Sequence, residues 1–465
     1  MTGLLALVLV AVPRAEAQFR FGKFGPIRIY RQGGPVEQVA IFISGDGGWT
    51  PGVTEMAREL AHDRTLVLGL DIRYLRNALD RSADACVYPA ADLEALSHYA
   101  QRKLDLPSYH QPVLAGYSGG ATLAYAALAQ APPGTFSGAL SLAFCLDLLL
   151  GRPLCRGEGL SSKQGVKHRL VYVQPVPHLS APWVVLQGAG DEACAPAATR
   201  QFVGRVAGAR FIALDSVGHG FARKKHWASA LRSTLATFRA GPAARSVSST
   251  PGSAFTGGVA VTDLPLVELP TPGGRTLAVI LSGDGGWASI DRHLGEALQD
   301  SEVAVVGLNS LQYFWHRRTP DAAAADLARV IRHYLPAWKR DRIALIGYSF
   351  GADVLPFLAA RLPADVRSRV LLVALLGAGR SADFEFRLSD WLGGGGRGSP
   401  VAPEVGRLRG MQVLCFSGRD EEDSVCPDLP PAQAERIPLP GGHHFGGDYA
   451  GIARTLLDRM RRSAP

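Results

Sequence analysis

The residues able to do covalent chemistry occur in this chain in two parallel sets. Ser118 stands in Gly116-Tyr117-Ser118-Gly119-Gly120, and Ser349 in Gly347-Tyr348-Ser349-Phe350-Gly351. An acidic turn follows each after an apolar run: LQGAGDE, ending at Glu192, and CFSGRDE, ending at Glu421. A late histidine in a Gly-His-x-Phe setting completes each set, at His219 and His443. A serine hydroxyl becomes a nucleophile when a base takes its proton, and an imidazole serves best when a carboxylate orients it. The chemistry predicted is acyl transfer from an ester. Ser, then Asp, then His, with the serine in a small-x-Ser-x-small turn, is the chain order of an α/β-hydrolase triad.

In the second set Ser349 is the expected nucleophile, His443 the base and Asp420 the acid that orients it. Asp423 competes with Asp420, and His444 with His443. Gly218-His219-Gly220-Phe221 aligns without a gap on Gly442-His443-His444-Phe445, which favours His443. Ser118, Asp191 and His219 form a second candidate triad. The tetrahedral intermediate needs hydrogen-bond donors for its oxyanion. The Phe350 amide, opening the next helix, is one. The Asp284 and Gly285 backbone is the other, in the loop Ser282-Gly283-Asp284-Gly285-Gly286-Trp287, which the first half repeats at 44–49. The acids Glu421, Glu422 and Asp423 would suit a cationic substrate head; a solvated loop would account for them equally well.

These groups need a scaffold. In the second half, Thr276–Leu281, Val303–Leu308, Ile343–Gly347, Val370–Leu376, Gln412–Phe416 and Glu435–Leu439 are short, β-branched and apolar, as buried parallel strands are. Ile290–Gln299, Asp321–Tyr334, Ala352–Arg361 and Tyr449–Arg461 have helical spacing. The alternation predicts mostly parallel sheets with helices on both faces, and ligands at the C-terminal strand ends, where every motif above falls. The fold expected is two tandem α/β-hydrolase-like domains, at 35–240 and 273–465. Between them, residues 241–272 are rich in Gly, Pro, Ser and Thr and predict a flexible linker. Gly394–Ser399 predicts a loop.

The chain has 465 residues, 47% hydrophobic and 19% charged, enough for two full cores. Its N-terminus differs from the rest. Leu4–Val12 is a short apolar stretch followed by Ala15-Glu16-Ala17, which predicts a signal peptide over 1–17 and a mature start near Gln18. A buried first strand is the alternative. The six cysteines fit an oxidising compartment. Cys415 with Cys426 and Cys145 with Cys155 have spacings suited to local disulfides, leaving Cys86 and Cys194. The four in the first half allow three connectivities. No metal-ligand spacing or cofactor motif occurs. The net charge of +8 is spread along the chain and favours an anionic membrane surface; no basic-aromatic pattern argues for nucleic acid.

Taken together, the SGDGGW loop, the G-Y-S-x-G turn, Phe314–Pro320 (FWHRRTP) and Gly441–Tyr449 (GGHHFGGDY) resemble the AcvB and VirJ bacterial virulence proteins. The two-repeat layout resembles AcvB, and the second repeat alone resembles VirJ. The resemblance implies a periplasmic α/β-hydrolase. AcvB-type proteins are associated with hydrolysis of lysyl-phosphatidylglycerol, and VirJ-type proteins with type IV secretion. Carried onto this chain, it implies a nucleophile at Ser349, an acid at Asp420 and a histidine at His443. The expected function is a periplasmic serine esterase that removes lysine from this lipid without a cofactor. The expected partners are aminoacylated phospholipid at the membrane surface and secretion-system proteins. The alternatives are a non-catalytic adapter or chaperone for secretion, and a general carboxylesterase or thioesterase. The first repeat, with its own full set, would be a second active site, a docking domain or a relic.

Overall fold

The computed structural model describes residues 18–82, 86–165, 169–239, 260–287, 289–385, 398–445 and 448–462. The predicted signal segment, most of the linker and most of the 394–399 loop lie outside the described residues. By contact, the described residues fall into two units, one within Met1–Leu96, His110–Ala131 and Phe136–Pro242, the other within Ser97–Tyr109, Pro132–Thr135 and Ala243–Pro465.

Eleven strands are described in the first repeat: β1 Gln18–Arg20, β2 Pro26–Tyr30, β3 Gln38–Ile43, β4 Thr65–Leu70, β5 Val113–Tyr117, β6 Gly138–Leu142, β7 Asp147–Leu149, β8 Ser162–Gln164, β9 Leu170–Val173, β10 Trp183–Gly190 and β11 Arg210–Gly218. Eight make one sheet in the order β1-β2-β4-β3-β5-β6-β10-β11, and β7-β9-β8 make a small antiparallel one. From β4 to β11 all neighbours are parallel. β1 and β2 extend the edge antiparallel.

The second repeat has β12 Leu266–Leu269, β13 Thr276–Leu281, β14 Ala304–Leu308, β15 Arg342–Tyr348, β16 Val370–Leu376, β17 Ser381–Ala382, β18 Ser399–Pro400, β19 Gln412–Gly418 and β20 Glu435–Leu439. Its sheet runs β12-β14-β13-β15-β16-β19-β20, the order of the first repeat without one edge strand. Only β12 is antiparallel to its neighbour. β12 corrects the sequence reading, which placed 266–269 in the linker. Its Leu-Val-Glu-Leu is short and sits among prolines, but it finds the exposed edge of β14.

Both sheets reverse direction at one place. The chain leaves β3 for β4 on one side and returns to β5 on the other, and likewise leaves β13 for β14 and returns to β15. Connections diverge at such a point and open a crevice above the strand ends. The Gly-rich loops follow β3 and β13, and the serine turns follow β5 and β15. The topology therefore brings loop and nucleophile together in each repeat.

The cysteines pair as Cys86–Cys155, Cys145–Cys194 and Cys415–Cys426. The last has the expected partners; a local Cys145–Cys155 bridge does not form. β6 pairs with β10, so the loops leaving those two strands, carrying Cys145 and Cys194, are neighbours in space although far apart in sequence. Among the described residues no helix is long and apolar enough to cross a membrane.

Candidate active site

Each serine sits at a backbone angle that a side-chain-bearing residue rarely adopts: φ 54°, ψ −124° at Ser118 and φ 50°, ψ −121° at Ser349. Strain of this kind persists only where the surroundings enforce it. Here the enforcement is steric. The helices Gly119–Gln130 and Phe350–Ala359 start directly at the serines and press against the preceding strands. A Cβ on Gly351 would lie 2.2 Å from the Leu281 carbonyl oxygen, and one on Gly120 would lie 2.3 Å from that of Ile43. Glycine two residues past the nucleophile is thus required in both repeats.

The first triad is complete. The Ser118 hydroxyl lies 3.1 Å from His219 Nε2, and His219 Nδ1 lies 3.0 Å from both carboxylate oxygens of Asp191. With Nδ1–H donating to the carboxylate, Nε2 is left to accept the serine proton. The Ala193 and Cys194 amides and the Gln187 side chain also donate to Asp191, which is fully buried.

The second triad differs from the expectation in its acid. Ser349 Oγ lies 2.8 Å from His443 Nε2, and His443 Nδ1 lies 2.5 Å from Glu421 Oε1. Asp420 is exposed and points elsewhere; its amide donates to the Gly441 carbonyl. The reason is the strand end. Gly188 in β10 and Gly418 in β19 each open a turn in which the amide of the third following residue donates back to the glycine carbonyl, at 3.2 Å. That residue is Asp191 in one repeat and Glu421 in the other. The sequence alignment matched the two Asp-Glu pairs and so was one residue out of step. Counting three residues on from Gly188 and from Gly418 finds Asp191 and Glu421, the latter expected from the sequence as a substrate contact.

Asp423 is not the acid either: it is exposed and paired with Arg380, which also bonds the Glu422 carbonyl and Asp428. His444 lies outside the triad. Its Nδ1 is 3.0 Å from the Tyr348 hydroxyl, and burial, then the neighbouring His443, hold its imidazole below its ordinary value.

The Gly-rich loops have the same construction in both repeats. The Ser44 and Ser282 hydroxyls accept the amides of Ile72 and Ser310, which open the helices following β4 and β14. Gly45 and Gly283 lie against the nucleophiles: a Cβ there would be 3.1 Å from Ser118 Cβ and 3.4 Å from Ser349 Cβ. Trp49 and Trp287 lie over Gly69 and Gly307 of the adjacent strands, where a Cβ would collide with the indole. The turn carrying Asp284 and Gly285 is therefore pinned beside Ser349. Phe350 opens the helix directly after the nucleophile. The expected oxyanion donors lie on these two segments.

A family model described as bacterial virulence protein (VirJ) matches residues 37–140 and 275–464. The chain belongs to the VirJ family. Carboxylesterase Culp1 of Mycobacterium tuberculosis (strain ATCC 25618 / H37Rv) is 28% identical over 186 residues, covering 37% of this chain and 80% of that one. Among solved structures, Est1E from Butyrivibrio proteoclasticus is 14% identical with a TM-score of 0.34, covering 48% of this chain and 98% of its own. An alpha-beta serine hydrolase homologue from Coxiella burnetii is 17% identical with a TM-score of 0.32, covering 48% and 96%.

The two sites of this VirJ-family chain differ in charge. Asp353, one helical turn past Ser349, accepts the Gly379 amide at 2.7 Å. Burial pushes its carboxyl up to about 8; the Gly379 amide opposes the shift, and Asp423, Asp284 and Glu421 add to it. Four residues past Ser118 stands Thr122, whose hydroxyl donates to the Cys145 carbonyl. Asp46, the counterpart of Asp284, is paired with Arg76. The sequence reading passed over Asp353 because it sits in an apolar helix; its spacing from the serine was the available signal.

Proposed function

We propose that the second repeat is a periplasmic serine esterase that cleaves the aminoacyl ester of lysyl-phosphatidylglycerol, releasing lysine and phosphatidylglycerol. The observation carrying this reading is the Ser349–His443–Glu421 relay with the Asp353 carboxyl one turn beyond the nucleophile. Ser349 Oγ attacks the lysyl carbonyl carbon as His443 Nε2 takes its proton, and Glu421 steadies the imidazolium. The oxyanion is received by the Phe350 amide and the 283–286 turn. The carbon–oxygen bond to the glycerol breaks, and the departing alcohol takes the proton from His443. Water, deprotonated by the same histidine, then frees lysine from the serine.

Asp353 supports a cationic acyl group, since an ammonium beside it favours its ionised form and so offsets the cost of burying that charge. A net charge of +8 supports work at an anionic bilayer. Three disulfides and the Ala-Glu-Ala sequence before Gln18 support export to the periplasm. The deciding experiment is lysine release from lysyl-phosphatidylglycerol vesicles by the protein and by Ser349→Ala. Turnover should fall by roughly a thousandfold or more in the variant. No release by the intact protein, in vesicles or detergent, would end the lipid reading and bring forward a non-catalytic role in secretion.

A further inference from the structure

We infer that Ser118 is the nucleophile of a second, independent hydrolase centre, and that this centre takes esters of uncharged acyl groups. This goes beyond the lipid reading and stands if that reading fails.

A full triad is aligned around Ser118. The hydroxyl faces His219 Nε2 and the imidazole faces a buried Asp191. The serine holds the same strained angle as Ser349, to within a few degrees. A serine kept only for folding has no need of that angle, which costs on the order of 1–3 kcal/mol, nor of an aligned base. Ser118 and His219 are both partly open to solvent. The reaction runs as at Ser349. Oγ bonds to the acyl carbon as His219 takes its proton, the ester C–O bond breaks, and that proton passes to the leaving alcohol. Water deprotonated by His219 then attacks the acyl-enzyme, releasing the acid and returning the proton to Ser118.

The acyl preference follows from what replaces the acids. Thr122 stands where the second site has Asp353, the acid nearest its nucleophile on the following helix. Asp46 approaches Gly119, next to the nucleophile, with its charge matched by Arg76. The Cys145–Cys194 bridge, with its sulfurs within 4.8 Å of a ring nitrogen of His219, adds an uncharged wall. Of the acids beside this triad, Asp46 is matched by Arg76 and Glu192 lies exposed on the turn.

The test treats the full chain with a fluorophosphonate probe and locates the label by mass spectrometry in wild type, Ser118→Ala, Ser349→Ala and the double variant. Turnover of p-nitrophenyl butyrate and of lysine p-nitrophenyl ester is measured alongside, with His219→Ala as a second disruption of the first site. Ser349→Ala should keep the label on Ser118 and keep butyrate turnover. Adding Ser118→Ala should remove both, lowering turnover roughly a thousandfold or more. An unlabelled Ser118 with butyrate turnover unchanged in Ser118→Ala would overturn the proposal. So would loss of lysine-ester rather than butyrate turnover in Ser118→Ala. Failure of Ser349 to label bears on the lipid reading alone.

Discussion

At the scale of single residues, the second triad separates two neighbouring acids that composition cannot tell apart. Glu421→Gln removes the charge that orients His443, and loss of such a carboxylate costs on the order of 10⁴ in turnover. Asp420→Asn should leave kcat/KM within a few-fold of wild type, because Asp420 is exposed and bonds through its backbone. Equal losses in the two variants would restore Asp420 to the triad. The serines and histidines were legible because small flanking residues and duplication mark them. The acid was not, because its place depends on where β19 ends, and Asp-Glu in both repeats invites the wrong register. Asp353 has a pH signature of its own. Its folded value, about 8, is raised from an ordinary 3.8, so the folded state binds its proton more tightly than the unfolded chain. Stability from this group is present below the unfolded value and is lost as pH rises through about 8. Asp353→Asn should therefore flatten the decline in urea-unfolding free energy between pH 5 and 8, with Asp284, Glu421 and Asp423 left in place. A slope unchanged by the substitution would show that the carboxyl is ordinary.

At the scale of elements, the central strands were legible almost to the residue. Thr276–Leu281 and Val370–Leu376 appear with the predicted bounds, because strands covered on both faces must be apolar throughout. Edge strands were less so: the edge strand β20 has its predicted bounds, Glu435–Leu439, but β12 and β1 were missed. β12 carries a glutamate and is only partly buried, and β1 mixes exposed and half-buried residues. Part of the Phe314–Pro320 motif is architectural: Thr319 caps the helix Pro320–Ala337 by accepting the Ala322 amide, with proline in its first turn. The elbow is where an element and the chemistry meet. Gly351→Ala puts a methyl 2.2 Å from the Leu281 carbonyl oxygen, so the helix must slide off the strand end. Overpacking of this kind costs roughly 1–3 kcal/mol. The expected result is a lower urea midpoint together with loss of probe labelling at Ser349. Normal labelling with only lowered stability would show that the elbow tolerates the shift.

At the scale of the whole molecule, two repeats with one topology have been fastened differently. The first repeat closes loops of 69 and 49 residues with its disulfides, while the second closes one of 11. Spacing alone could not give the first pair of bridges, since Cys145 and Cys194 meet only because β6 and β10 are neighbours. Crosslinks restrict the unfolded chain more when they span longer loops, by about 4 kcal/mol for each of the two long ones and about 3 kcal/mol for the short one in the chain-entropy account. Reduction should therefore weaken the first repeat by more than twice as much as the second. The loss reaches its chemistry as well, because the Cys194 amide donates to Asp191 and the bridge holds that turn in place. Under a phosphine reductant and a urea gradient, limited proteolysis should cut the first repeat at lower urea than the second, and labelling of Ser118 should fade before that of Ser349. Cleavage appearing first in the second repeat would mean that its stability margin is the smaller one even with the first repeat unfastened, and that loop length does not set the order.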